Sequence, residues 1–355
     1  ILIMISLENK IKFELSVFIW LIILTLMVFT IIIVGGLTRL TDSGLSMVDW
    51  RPILGIIPPL SKEDWINVFD LYKQTPEYIY VNNTFTIDEF KYIFWWEWGH
   101  RVIARLLGVI FFIPLIYFIY KKYINIFLIK RLTLVFIFGI FQALVGWWMV
   151  KSGLSDNPYV SPYRLTFHLI NALIIFSVLF WLCLEYYYIN ETKVYYKLGS
   201  SEILIFISII LTIITIISGG FMAGTHAGQS FNTFPLMNGN IIPEDYYLSD
   251  LGVFNFFENI VAINFNHRWL ASITFVYTLI YFSYSVLLKK KQVHVFFDFL
   301  VIFLLIIQFS LGILTLLSNV NINYASLHQT NSVLLLSALL LNYHQYKINK
   351  QIIKL

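Results

Sequence analysis

The chain holds seven histidines, and four of them recur as two related pairs. His100 and His267 are each followed by arginine, in Gly99-His100-Arg101 and Asn266-His267-Arg268, while His168 and His328 open the apolar runs TFHLINALIIF and SLHQTNSVLLL. Each pair offers two imidazoles at similar depth on two different segments. That arrangement suits a heme clamped between helices, with one imidazole bound axially to the iron on each face. Two histidines per pair leave too few obvious ligands for zinc or copper. A lone histidine reads better as a packed or interfacial side chain; four in repeated positions point to ligation. A heme near a membrane face needs its propionates neutralised, and arginine is the natural partner. Arg101 and Arg268 follow histidines directly, Arg105 lies one turn beyond Arg101 on the same helical face, and Arg39 is a further candidate.

The two pairs differ in one acid. Glu97 precedes His100 by one helical turn, and the matching position before His267 is Asn264. A carboxylate beside a partly dehydrated heme can act as general base or stabilise developing positive charge, so Glu97 is the candidate catalytic residue. A helix-start glutamate favoured by the helix dipole is the plainer reading, and the contrast with Asn264 weighs against it. His294 and His344 read as interfacial. His226 reads as a loop histidine, with Asp42 in the corresponding place of the first half.

These residues must be positioned by apolar helices. Of 355 residues, 59% are hydrophobic and only 12% charged, against about 25% charged in an ordinary soluble domain. That composition excludes a soluble enzyme and a disordered chain. The net charge of +4 is scattered, which excludes a nucleic-acid binder. A single cysteine, Cys183, excludes an internal disulfide and a cysteine-rich metal site. Eight stretches reach the ~20 apolar residues that a membrane span needs: roughly 14–37, 99–120, 128–150, 165–187, 203–222, 266–288, 295–317 and 325–345. They lack the alternation of a membrane β-barrel. The fold class is therefore an all-α polytopic membrane protein, with lipid as its surroundings. The first span is too long for a removable signal peptide.

The halves repeat. Gly35-Gly36 corresponds to Gly219-Gly220, His100 to His267, Gln142 and Gly146 to Gln308 and Gly312, and His168 to His328, at separations of 184, 167, 166 and 160 residues. Four spans per half is an even number, so the repeat is parallel: two tandem four-helix bundles, unlike the inverted repeats of many transporters. The expected division is a bundle over 1–187, a linker over 188–202 and a second bundle over 203–355. Lys10, Lys12, Lys121, Lys122, Lys193, Lys197, Lys289 to Lys291, Lys347, Lys350 and Lys354 all fall on one side. The positive-inside rule then makes both termini cytoplasmic. The long segments 38–97 and 223–265 and the histidines lie toward the other face.

The run GGLTRLTDSGLSMVDWRPILGIIPPL (35–60), EWGHR (97–101), QALVGWWMVKSGL (142–154) and NFNHRW (264–269) together resemble heme A synthase, in its proteobacterial and mitochondrial-like branch. Some bacterial members carry a cysteine pair in outer loops; this chain has none there, which removes thiol exchange on those loops. The resemblance covers essentially all eight spans. It implies oxidation of the C8 methyl of heme O to a formyl group, with water as oxygen source, giving heme A for cytochrome c oxidase. It implies heme O as substrate at His100 and His168, a heme b cofactor at His267 and His328, and Glu97 as the catalytic acid. It also implies a bacterial inner membrane, with heme O synthase and an electron acceptor as partners; a homo-oligomer stays open. From the residues alone, a dihaem b-type electron-transfer cytochrome remains the main rival. A transporter is disfavoured, because the functional groups crowd one face.

Overall fold

Unbroken apolar runs satisfy their own backbone only as helices when no water is at hand, and eight long helices form. The computed structural model describes residues 13–49, 54–155, 157–188, 200–288 and 292–352. The helices are α1 Leu15–Leu40, α2 Ile87–Tyr120, α3 Ile126–Lys151, α4 Pro162–Tyr187, α5 Ser200–Gly224, α6 Ile260–Leu288, α7 Gln292–Leu317 and α8 Ile322–Ile352. Local signals set their starts. Thr86 and Glu89 form a reciprocal capping box on α2, Asn125 caps α3 through the Leu128 amide, and Pro162 opens α4.

Seven of the eight are long and apolar enough to cross a membrane. The expectation of eight such spans is corrected at α8, which is long enough but carries His328, Gln329, Asn331, Asn342, His344 and Gln345. Neighbouring helices shield it: Asn331, Asn342, His344 and Gln345 are all buried. His344, expected at an interface, instead lies inside, edge-on to Trp181 at 4.9 Å. The side chains of His294 and Lys350, most of the linker (189–199), and the lysines at 10, 12, 193, 197, 289–291 and 354 lie outside what is described, and with them most of the charge pattern behind the orientation.

Packing follows the repeat. α1 packs on α2 and α4, and α5 packs on α6 and α8; across the halves, α4 meets α5 as α8 meets α1. One continuous apolar core, including Leu21, Leu24, Leu179, Ile205, Leu336 and Leu339, joins all of this. One wall breaks the symmetry. The backbones of α6 and α7 pack closely, whereas those of α2 and α3 do not.

The described residues of the segment 38–97 form a helical cap. Helices Lys62–Tyr72 and Pro76–Tyr80 fold against the first turns of α2, which starts 12 residues before its expected boundary at 99. Phe69, Tyr72, Phe90, Ile93 and Phe94 form a separate aromatic core there, with Phe69 stacked on Phe90 at 5.0 Å. Glu97 is thereby in the third turn of α2, not the first.

Candidate functional site

Each of the four repeated histidines rests against a glycine of a neighbouring helix. A Cβ on Gly35 would lie 3.1 Å from His100 Nε2, and one on Gly219 would lie 3.4 Å from His267 Cε1. Gly146 and Gly312 stand in the same relation to His168 and His328, each 3.0 Å from Cε1. These glycines admit an imidazole against bare backbone, which larger residues would displace. Their neighbours Gly36 and Gly220 serve the seam between halves instead. Gly36 faces Gln329, and Gly220 faces Thr166 and Leu169. His100 and His168 stand near one another, as do His267 and His328.

A second repeated unit holds the α4 and α8 histidines. Asn171 donates to Gln142 Oε1 at 2.6 Å and to the Phe138 carbonyl, which turns the Gln142 amide nitrogen toward His168, 3.3 Å from its Nε2, whereas the corresponding contact in the second half is to Nδ1. Asn331 donates to Gln308 Oε1 at 2.9 Å and to the Leu304 carbonyl, and Gln308 Nε2 stands 3.2 Å from His328. Asn171 and Asn331 are separated by the same interval as the histidines, a signal the sequence carried without a role attached.

The imidazoles differ in their acceptors. With its hydrogen given to the Thr215 carbonyl at 2.8 Å, Ser218 Oγ can accept from His267 Nδ1–H at 2.7 Å. The Gln308 carbonyl, an acceptor only, lies 3.1 Å from His328 Nδ1. Ser218 thus offers His267 Nδ1–H an acceptor and leaves Nε2 free, whereas His328 Nδ1 meets both the Gln308 carbonyl and, at 3.2 Å, the Gln308 amide nitrogen. In the first half Val34 takes the place of Ser218, and His168 Nδ1 is buried without a protein partner.

Glu97 is buried, with 3% of its surface exposed. Its Oε2 accepts from Ser46 Oγ at 2.7 Å and the Met47 amide at 2.8 Å, and its Oε1 accepts from Arg101 at 2.5 Å. Arg101 also donates to the Met47 carbonyl, while its Nη1 is buried and unpartnered. Asn264 and Arg268 do the corresponding work in the second half. Asn264 donates to the Ala227 carbonyl at 2.6 Å and accepts from Arg268 Nε at 2.7 Å, and Arg268 reaches the Phe231 and Thr233 carbonyls. In both halves this pair pins the turn that follows the glycine-ended helix. Only the first half does so with a carboxylate. Arg105 donates to the Arg101 carbonyl, as Ser272 does to that of Arg268.

Arg39 lies in the seam. It pairs with Asp42 at 2.5 Å and donates to the Ala223 carbonyl and to His226 Nε2. Asp42 and His226, equivalent in the repeat, both have left-handed backbone, φ 47° and 55°. His226 is thus a loop histidine, edge-on to Tyr159, and burial followed by the Arg39 charge holds it below its usual pKa. Beside it a cavity of about 600 Å³ is lined by Asp42, Glu77, Asn82, Tyr159 and His226 among others. Burial raises Glu77 from 4.5 to about 8, against the hydrogen bond from Tyr72 at 2.8 Å.

The donor set fits a heme in each half. Paired imidazoles with glycine backing suit axial ligation, and the orphaned Arg101 Nη1, with Trp98 Nε1 beside it on α2, suits an anionic propionate. His100 with His168, and His267 with His328, are the residues that would hold the iron.

Comparison with known proteins gives the family. Residues 18–340 match the family COX15-CtaA, described as cytochrome oxidase assembly protein. The chain is 42% identical over 329 residues to a heme A synthase of Nitrosomonas eutropha, covering 91% of each chain. It is 40% identical over 343 residues to one of Nitrosospira multiformis, covering 96% of each. A heme A synthase of Wolbachia pipientis is 42% identical over 318 residues, covering 89% of this chain and 93% of that one. A match of this extent, on a duplicated helical bundle with four glycine-backed histidines, means that the chain belongs to the COX15-CtaA family of cytochrome oxidase assembly proteins.

Proposed function

We propose that this protein is a heme A synthase of a bacterial inner membrane, oxidising the C8 methyl of heme O to a formyl group for cytochrome c oxidase. The observation that carries the reading is a duplicated pair of histidines in which only one copy has a buried carboxylate beside it, Glu97 against Asn264. The half with the acid is the half for chemistry. His100 and His168 would hold heme O, and His267 and His328 would hold a resident heme b. That heme b would supply one-electron transfer from the substrate to an external electron acceptor, which takes up four electrons per formyl group formed.

The chain's own residues divide the remaining work. Converting a methyl and one water to a formyl releases four electrons and four protons, so positive charge develops at the reacting carbon. Glu97, fixed by Ser46, Met47 and Arg101, places a negative charge that needs no reorganisation as that charge appears. It can take a proton from the attacking water by releasing one of its three donors. Arg101 holds Glu97 with one nitrogen and has another free for a propionate. The cap over 38–97 brings Ser46 and Met47 to Glu97 and so completes the site. The histidines face the periplasm and both termini the cytoplasm.

The test is Glu97→Gln expressed in a heme O-producing host. The substitution keeps the shape and removes the charge. Heme A yield should fall by at least about a hundredfold, the low end for loss of a positioned acid–base group, with both hemes still bound. A normal yield removes Glu97 from the chemistry. Heme B as the sole bound species in the wild-type protein would favour the electron-transfer cytochrome instead.

A further inference from the structure

The two halves differ most in the wall between their second and third helices. In the second half this wall is closed: α6 and α7 pack along their backbones, and Phe275 stacks on Phe309 at 4.4 Å. The positions equivalent to these two phenylalanines in the first half are Gly108 and Ala143, both exposed. Leu305, 3% exposed, is likewise replaced by an exposed Gly139. A Cβ built on Gly108 or Gly139 meets nothing within 4 Å. A stacked phenylalanine pair and a buried leucine in one bundle have thus become three small residues in the other, and the α2 and α3 backbones stand apart.

The gap has a floor and a direction. Phe112 meets Phe136 edge-on at 4.6 Å, one turn beyond Gly108, and closes the wall on the side away from the histidines. Gly146, on the same helix as Ala143 and Gly139, backs His168. Gly108 lies eight residues along α2 from His100, about 12 Å at the helical rise. The opening therefore runs from the His100–His168 pair toward the middle of the apolar belt and faces lipid.

We propose that this gap between α2 and α3 is the binding groove and lateral gate for the isoprenoid chain of the substrate heme. The inference rests on the reading of the first half as the substrate half. A porphyrin carrying a farnesyl chain on the edge away from its propionates can present the propionates to Arg101 while the chain passes between Gly108 and Ala143 into the bilayer. The second half, plugged by Phe275 and Phe309, accepts only a heme without such a chain. One bundle exchanges its heme with the membrane and the other retains its own.

The test uses the full chain in nanodiscs, with heme O and heme B added separately and the bound hemes identified by mass. Gly108→Phe with Ala143→Phe recreates the plug. Its affinity for heme O should fall about five- to a hundredfold, the range that added bulk in a packed site costs. Its affinity for heme B at the first half should change by less than about twofold, and the b-type spectrum of the second half, unchanged, reports an intact fold. Unaltered heme O binding, or equal loss of heme O and heme B, overturns the proposal. The reciprocal variant Phe275→Gly with Phe309→Ala should let the second half take up heme O, and it decides the matter if the plugged variant does not fold; no uptake there counts against the groove. Heme O binding that survives His100→Ala and His168→Ala would instead refute the assignment of the substrate half, whatever the plug does.

Discussion

Replacing Ser218 with alanine isolates one difference between the two halves. The serine oxygen, its hydrogen already given to Thr215, accepts the Nδ1–H of His267 at 2.7 Å. Alanine leaves that N–H inside the bundle with no acceptor, at a cost of about 1–3 kcal/mol. Accepting this hydrogen bond makes the imidazole a stronger donor through Nε2, which favours the ferric over the ferrous iron of a bound heme. A tenfold change in that preference corresponds to about 59 mV for a one-electron couple. The midpoint potential of the C-terminal heme should therefore rise by up to about 60 mV in Ser218→Ala and return in Ser218→Thr, which restores the hydroxyl. A spectroelectrochemical titration of the purified protein reads this directly, with the substrate heme as internal reference. An unchanged potential with full heme content would show that the serine only fills space.

The glycine backing gives a second expectation. Gly312→Val should displace His328 and cost the protein its C-terminal heme, while Gly146→Val should displace His168 and cost only the N-terminal one; heme stoichiometry by extraction distinguishes them, and loss of both hemes from either variant would contradict independent sites. A third concerns pH. The folded state keeps Glu77 protonated up to about 8, whereas the unfolded segment ionises from about 4.5, so over that window the unfolded state binds fewer protons and the cap loses stability as pH rises. The protection factors of amides across 62–80, the base-catalysed intrinsic rate divided by the observed exchange rate, should fall from pH 5 to 8 in the wild type and stay flat in Glu77→Gln; equal pH dependence in both would place the titrating group elsewhere.

The helices were legible because each is an unbroken apolar run of spanning length, and the histidine pairs because their motifs recur at nearly constant separation. α8 was harder. Its polar residues, needed for His328 and for contacts with α1, α5 and α7, dilute its apolarity, and they also hid the burial of His344. Glu97 stood out against Asn264, but its donors did not, since Ser46 and Met47 reach it only through the fold of the cap. The cap itself has no long apolar run; short aromatic helices around Phe69, Tyr72 and Phe90 build it. Ser218 and the Phe275–Phe309 plug were written in the sequence as departures from the repeat. They gained meaning only when the structure showed which atoms Ser218 touches and which wall the plug closes.

The central claim is that the two histidine pairs hold two different hemes, one changed and one kept. The most direct measurement is mass identification of hemes extracted from the purified protein and from its His100→Ala and His267→Ala variants. The account predicts heme B with heme O or heme A in the wild type, loss of heme O and heme A alone in His100→Ala, and loss of heme B in His267→Ala. Heme B as the only species in all three, or a full complement of both hemes in either variant, would contradict it.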